Sequence, residues 1–122
     1  MDSKKQRLTT LLEGLEQEGD VEYAALVTRD GLLIASGSKG DINEETFAAM
    51  SATMLGAAET AVSELKRGTV ERVIAEGEQT KLITTGAGSN AVLVSMVNKD
   101  ANLGLILVEM KRTSHMIEEE IS

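Results

Sequence analysis

Few side chains in this sequence could carry out chemistry, and none belongs to a reactive constellation. The 122 residues include no cysteine and one histidine, His115. These counts exclude a disulfide scaffold, a thiolate zinc site and a metal site built from several histidines of one chain. A lone histidine off the apolar stripe of a helix is typical of a solvated surface position. We therefore expect no catalytic residue, no metal ligand and no cofactor.

Two further segments resemble sites only superficially. Gly86–Asn90 shares its glycines with phosphate-binding loops, but it leads into a strand, whereas such loops open a helix. A flexible hairpin turn is the favoured interpretation. The acidic groups Glu44–Glu45 and Glu118–Glu120 lack the apolar surroundings that general acid–base catalysis requires, so they indicate charged helix surface.

The overall charge narrows the classes of partner. Twenty acidic residues against twelve basic ones give a net charge of −8. Nucleic acid and anionic membrane surfaces both reward positive charge, so we expect neither as a partner. No apolar run approaches the roughly 18 residues of a membrane span, and the first residues, MDSKKQR, lack the apolar stretch of a signal peptide. The default expectation is a cytoplasmic protein.

Hydrophobic periodicity and turn signals predict eight elements in the order α-β-β-α-β-β-β-α. Leucines at helical spacing predict the first helix, and Asp30-Gly31 predicts a tight hairpin turn. The tail from Leu103 could begin as a strand, but its sustained apolar stripe favours a helix. Short turns favour antiparallel pairing, so we predict an α+β fold in which a five-stranded antiparallel sheet has helices on both faces. The predicted long helix spans Asn43–Arg67. The predicted strands are Val21–Thr28, Leu32–Ser36, Val70–Glu76, Thr80–Thr85 and Ala91–Asn98.

The long helix predicts contact with a second chain. At about 100° per residue it carries an apolar stripe, which we expect to face the sheet. Small residues spaced four apart (Ala48, Ala52 and Gly56) are expected on the opposite side, where another backbone could approach closely. Alanine is also common on helix surfaces, but Gly56 costs about 1 kcal/mol relative to alanine, which favours a packing role. The apolar stripe comprises Phe47, Met50, Met54, Ala58, Ala61 and Leu65.

The strand after the long helix adds a second argument for pairing. It begins a meander, so we expect it at an edge of the sheet. Its central residues are Val73, Ile74 and Ala75. They carry no charge that would hinder another strand from pairing with that edge. An exposed apolar edge is either covered or paired with another copy, so both features predict a two-fold dimer.

Three features together resemble the Roadblock/dynein-light-chain superfamily, and most closely its prokaryotic MglB-like branch. They are the strand–turn–strand run Ala24–Ala35 after a leucine helix, the alanine-rich central helix, and Asn102–Leu105 opening the final helix. The resemblance covers nearly the whole chain. It implies that residues 1–122 form a single Roadblock-like domain with a profilin-like fold. One long helix would cover one face of the sheet, and the two terminal helices would cover the other.

The resemblance also implies a function. Members of the family dimerise through the central helix and an edge strand, bind small Ras-like GTPases as scaffolds or by promoting hydrolysis, and are not enzymes. By position, Ala48, Ala52, Gly56 and Val73–Ala75 would lie at or near the dimer interface, whereas the partner-binding residues cannot be carried over. Arg29, beside a tight turn, could imitate an arginine finger, although hairpin arginines are ordinarily solvated.

Two alternatives remain open at the level of the sequence. One is a scaffold subunit of a larger assembly with no nucleotide-dependent partner. The other is a ligand-sensing profilin-like module, which is disfavoured because no convergent polar or aromatic groups are visible. A smaller prediction concerns the chain ends. The basic residues Lys4, Lys5 and Arg7 and the acidic run Glu118–Glu120 both oppose their helix dipoles, so we expect these two ends to lie near one another.

Overall fold

The elements follow the predicted order. The structure, a computed structural model, describes residues 3–38 and 41–121. The tail from Leu103 is a helix, as its periodicity predicts. The helices are α1 (Lys4–Glu18), α2 (Glu44–Leu65) and α3 (Leu103–Ile121), and the strands are β1 (Tyr23–Thr28), β2 (Leu33–Ser36), β3 (Arg72–Glu76), β4 (Thr80–Gly86) and β5 (Ala91–Asn98).

The five strands form one antiparallel sheet in the order β2-β1-β5-β4-β3. Helices α1 and α3 pack together on one face, over a core centred on Leu12, Leu26 and Ile106. Helix α2 covers the other face, where it meets Val27, Val92 and other strand residues. The predicted fold class is therefore confirmed, and so is the position of β3 at an edge of the sheet.

The turn between β1 and β2 seats the central helix. Gly31 has a φ of +92°, which favours glycine, and its N–H donates to the Thr28 carbonyl oxygen at 3.0 Å. The predicted tight turn is thus present. A Cβ at Gly31 would stand 2.9 Å from the Cα of Ala49, so the turn lies directly against the backbone of α2. Helix α2 begins after Asn43, whose side-chain oxygen accepts from the Thr46 N–H at 3.1 Å.

The two terminal helices run antiparallel, and their charged ends meet. Arg7 near the start of α1 is paired with Glu120 near the end of α3. At the other end of α1, Arg112 lies 3.6 Å from Glu18. The expected proximity of the basic and acidic chain ends is confirmed, although exposed pairs of this kind contribute less than about 1 kcal/mol each.

Glu16 of α1 ties the start of β1 to the segment that follows β2. Its carboxylate accepts from the Ala24 N–H at 2.9 Å, the Ser38 N–H at 2.9 Å and the Ser38 hydroxyl at 3.0 Å. A Cβ at Gly37 would stand 2.5 Å from this carboxylate, so a side chain there would displace it. One carboxylate therefore satisfies backbone donors on two segments.

Replacing Glu16 with alanine should lower the free energy of unfolding by about 2 kcal/mol, because the buried Ala24 N–H would lose its partner. Denaturant unfolding followed by circular dichroism measures this loss. Glu13→Ala, at an exposed position of the same helix, is the matched control and should change stability by less than about 0.5 kcal/mol. Equal effects of the two substitutions would show that the Glu16 hydrogen bonds contribute nothing specific.

Candidate interaction surface

The side of α2 that faces the sheet is the small-residue side, so the predicted orientation of this helix is wrong. Ala48 and Ala52 are buried against the chain's own sheet, together with Ser51 and Leu55. The side chains of these two alanines therefore lie on the side of the helix that faces the sheet and do not belong to its exposed outer surface. Phe47 is half-buried and makes an edge-to-face contact with Tyr23 at a centroid distance of 5.3 Å.

The reason is that most of the bulk in this layer comes from the strands, while the helix adds Leu55 and Phe47. Val27, Val92 and Val94 supply the aliphatic volume in this layer, so α2 approaches most closely along its smallest side chains. A pattern in the sequence could have indicated this. Residues 48, 51, 52 and 55 have the i, i+3, i+4, i+7 spacing of a buried helix face, but a serine and two alanines among them give a weak hydrophobic signal.

The outer face of α2, defined here by Met50, Gly56, Ala57, Ala61 and Leu65, is exposed except at the half-buried Gly56, and it is mainly apolar, with exposed threonines at positions 53 and 60. Met50 is 59% exposed and Leu65 is 68% exposed. No atom of the described chain outside the helix backbone lies within 4 Å of the position that a Cβ on Gly56 would take. Between Thr46 and Ser63 the helix carries one charged residue, Glu59. A solvated surface helix normally carries charge on its outer face, so this surface has the composition of an interface.

The β3 edge is the second exposed apolar feature. Val73 packs on the α2 side of the sheet and Ile74 on the α1–α3 side, and both are half-buried, while Ala75 is exposed. On one side β3 pairs with β4, in the register Ile74 to Ile83. Within residues 3–38 and 41–121 no strand pairs with its other side. Its outer backbone groups are thus available to another strand.

Three buried hydroxyls in the layer beneath α2 lack hydrogen-bond partners among the described residues. They belong to Ser51 on the helix, Thr84 on β4 and Tyr23 on β1. Burial raises the pKa of the Tyr23 phenol above its ordinary value of 10.0, and the Glu44 carboxylate adds to the rise. Ser36 offsets part of that rise but makes no hydrogen bond of ordinary geometry with the phenol.

Tyr23→Phe should therefore change the pH dependence of stability. The raised pKa means that the folded chain keeps its phenol proton where the unfolded chain has lost it, so stability is fully present below about pH 10 and falls as the pH rises through the folded pKa. Near pH 7 the substitution removes an unsatisfied hydroxyl and should cost less than about 1 kcal/mol. Denaturant unfolding at pH 7 and above pH 10 tests this, and parallel pH profiles of the two proteins would contradict it.

The other residues singled out in the sequence do not converge. His115 is exposed on α3, beside a groove of about 360 Å³ between α3 and the β3–β4 edge. The segment Gly86–Asn90 connects β4 to β5, as expected of a hairpin turn. Residues 3–38 and 41–121 contain no group of three acidic or histidine side chains that could hold a metal ion.

Arg29 is engaged within its own chain. Its guanidinium is paired with Glu59 of α2 at 2.7 Å and also contacts the Gly88 carbonyl oxygen at 3.3 Å. No local pattern in the sequence predicts this pairing, because the two residues are 30 positions apart.

The fold is that of a known family. The family model of the Roadblock/LC7 domain matches residues 7–96, and the chain belongs to that family. The protein MJ1340 of Methanocaldococcus jannaschii is 38% identical to this chain over 108 residues, which cover 88% of this chain and 93% of the relative. The predicted family resemblance is therefore confirmed.

Solved structures share the fold over almost the full length. Myxococcus xanthus MglB has a TM-score of 0.90 and 22% identity, covering 98% of both chains. An MglB structure with a tetrameric arrangement has a TM-score of 0.89 and 22% identity, covering 98% of this chain and 91% of that one. Profilin II of Acanthamoeba castellanii has a TM-score of 0.67 and 18% identity, covering 98% and 100%. The MglB-like form with its final helix is thus confirmed at the level of fold, and so is the profilin-like architecture.

Among residues 3–38 and 41–121, no helix combines the length and the apolar character that crossing a membrane requires.

Proposed function

We propose that residues 1–122 form one Roadblock-type domain that acts as a homodimer and regulates, or serves as a scaffold for, a small Ras-like GTPase in the cytoplasm. In this proposal the protein is not an enzyme and uses no cofactor, and it acts through its surface. The observation that carries the proposal is the exposed, nearly uncharged outer face of α2 together with the unpaired β3 edge in a member of the Roadblock/LC7 family.

The dimer would use both surfaces at once. Pairing β3 with β3 of a second copy extends the sheet across two chains and satisfies the outer backbone groups around Val73–Ala75. The two α2 helices then lie on the same side of the joined sheet, and Gly56 leaves room for close approach. Of the residues first assigned to this interface, we keep Gly56, Val73, Ile74 and Ala75. Ala48 and Ala52 instead pack α2 against the sheet of its own chain.

The GTPase as partner is supported by the family resemblance and by charge. The family resemblance implies binding to Ras-like GTPases, and the fold is shared with MglB along nearly the whole chain. A net charge of −8 favours a partner that presents a basic patch and would speed the encounter with it.

A pull-down with the small Ras-like GTPases of the same organism, loaded with GTP or GDP, tests this function. We expect capture of at least one GTPase, with a preference for one nucleotide state. Ala57→Glu, which places a charge on the outer face of α2 where the second copy would pack, should prevent dimerisation and with it capture. Gln17→Glu, at an exposed position of α1, should leave both unchanged. A folded dimer that captures neither nucleotide form would contradict the GTPase proposal and favour the alternative of a structural scaffold subunit.

A further inference from the structure

Arg29 occupies a space between α2 and the turn that joins β4 to β5. Its Nη1 donates to the Glu59 carboxylate at 2.7 Å, and its Nη2 donates to the Gly88 carbonyl oxygen at 3.3 Å. A Cβ on Gly86 would stand 2.9 Å from Nη2. The guanidinium therefore fits against this turn because residue 86 has no side chain.

This contact lies where the packing of α2 is weakest. The fully buried residues of the helix end at Leu55, and the ten residues from Gly56 to Leu65 are half-buried or exposed. Helix and sheet meet through small side chains in the first half, where Gly31 of the β1–β2 turn abuts Ala49. Arg29, from the same turn, reaches the second half of the helix at Glu59. One turn thus contacts α2 at two points ten residues apart, or about 15 Å along its axis.

The pair also removes an electrostatic obstacle to an interface. Glu59 is the one charge between Thr46 and Ser63. A second chain that covered this region would have to desolvate the carboxylate, which is costly for an unpaired charge. Arg29 supplies the opposite charge from within the chain. An arginine finger, by contrast, must be free to reach the phosphates of a partner.

We propose that Arg29 is a positioning residue: it holds the second half of α2 over the end of the sheet and neutralises Glu59, which keeps the outer face of α2 in an arrangement that a second copy can match. The consequence for pairing rests on the proposed function, whereas the placement of the helix is a property of the single chain. The two parts can be measured separately.

The absence of cysteine allows the position of the helix to be measured directly. Ser63→Cys and Lys99→Cys place spin labels on the second half of α2 and on the turn after β5, both exposed. Labelled protein is diluted with unlabelled chain so that distances within one chain are observed. The parent should give one narrow distance distribution. Arg29→Met should shift or broaden it by about 2 Å or more, the scale of a helix shift.

Three companion variants separate positioning from a general loss of stability. Glu59→Met should reproduce the change caused by Arg29→Met. Gly86→Ala should move the distribution in the same direction although both charges remain, because the new methyl group would stand 2.9 Å from Nη2 and displace the guanidinium. Arg29→Lys should retain part of the parent distribution, since lysine keeps the charge but lacks the planar fork. Arg112→Met, which removes an exposed ion pair in the α1–α3 layer, is the control and should leave the distribution unchanged.

The dissociation constant of the dimer tests the consequence for pairing. Arg29→Met should raise it about tenfold, and adding Glu59→Met should restore part of the affinity, because the unpaired carboxylate is then gone. Unchanged distances together with an unchanged dissociation constant would overturn the role of Arg29. A parent chain that stays monomeric would contradict the proposed dimer alone, and the distance distributions would still support or overturn the positioning of α2.

Discussion

Gly56→Leu should leave the chain folded and weaken its pairing about 100-fold. Among the described residues, no atom outside the helix backbone lies within 4 Å of the position that a Cβ would take here, and replacing glycine in a helix favours folding by about 0.8 kcal/mol. In a dimer with closely packed α2 helices the same side chain would be forced into the partner. Overpacking costs up to about 3 kcal/mol, so the dissociation constant should rise by about 100-fold.

Sedimentation equilibrium measures this effect, and α1 provides a matched control. Gly14 also lies within a helix, and among the described residues no atom outside the helix backbone lies within 4 Å of the position that a Cβ would take. Gly14→Leu should raise helix propensity similarly and leave the association state unchanged. If Gly56→Leu forms dimers as tightly as the parent, the interface does not include this part of α2.

The second large effect is expected at the turn that seats α2. Gly31→Ala should lower the free energy of unfolding by about 2–4 kcal/mol. Part of the loss, about 1–2 kcal/mol, is backbone strain, because φ is +92° at this position. The remainder arises because the new Cβ would stand 2.9 Å from the Cα of Ala49, so the helix backbone itself must move.

Gly68→Ala isolates the second contribution. Gly68 has a similar φ of +97°, but within the described part of the chain no atom of a neighbouring element lies within 4 Å of its Cβ position. This variant should show the strain cost alone, and denaturant unfolding of both proteins gives the difference. If the two substitutions are equally destabilising, the close approach of the turn to α2 contributes nothing measurable.

The order of elements could be predicted from the sequence because local signals dominate it. Period-2 strands, the Asp30-Gly31 turn and the leucine spacing of α1 each act within a few residues, and each favours the element that forms. The edge position of β3 also followed from local order, since this strand begins a meander after a long helix. The proximity of the charged chain ends could also be predicted, because an antiparallel arrangement of the two terminal helices places Arg7 beside Glu120.

The sequence indicates the orientation of α2 only weakly, because the side that is buried depends on the side chains that the sheet presents. A helix that is apolar on two sides offers no single stripe, and packing volume decides which side is buried. The valines of β1 and β5 fill the layer between helix and sheet, so the helix side with the small residues Ala48 and Ala52 faces the sheet. Met50 and Leu65 remain exposed to solvent. The role of Arg29 was hidden for a similar reason, since its partners Glu59 and Gly88 are distant in sequence.

The two sides of α2 now have separate roles. Its inner side is small because it must lie close to the sheet, whereas its outer side is apolar and almost free of charge, which solvent alone does not explain. Aromatic residues make up only 2% of the chain. This scarcity fits an interior in which helices and sheet pack closely through alanine, valine and leucine side chains. A second copy would then cover the apolar surface that the single chain leaves exposed.

The mass of the native protein tests the central claim most directly. Size-exclusion chromatography with multi-angle light scattering, at micromolar concentration, should give about 26 kDa, twice the 13.0 kDa of one chain. A single species near 13 kDa under these conditions would contradict the proposal that the outer face of α2 and the β3 edge join two copies.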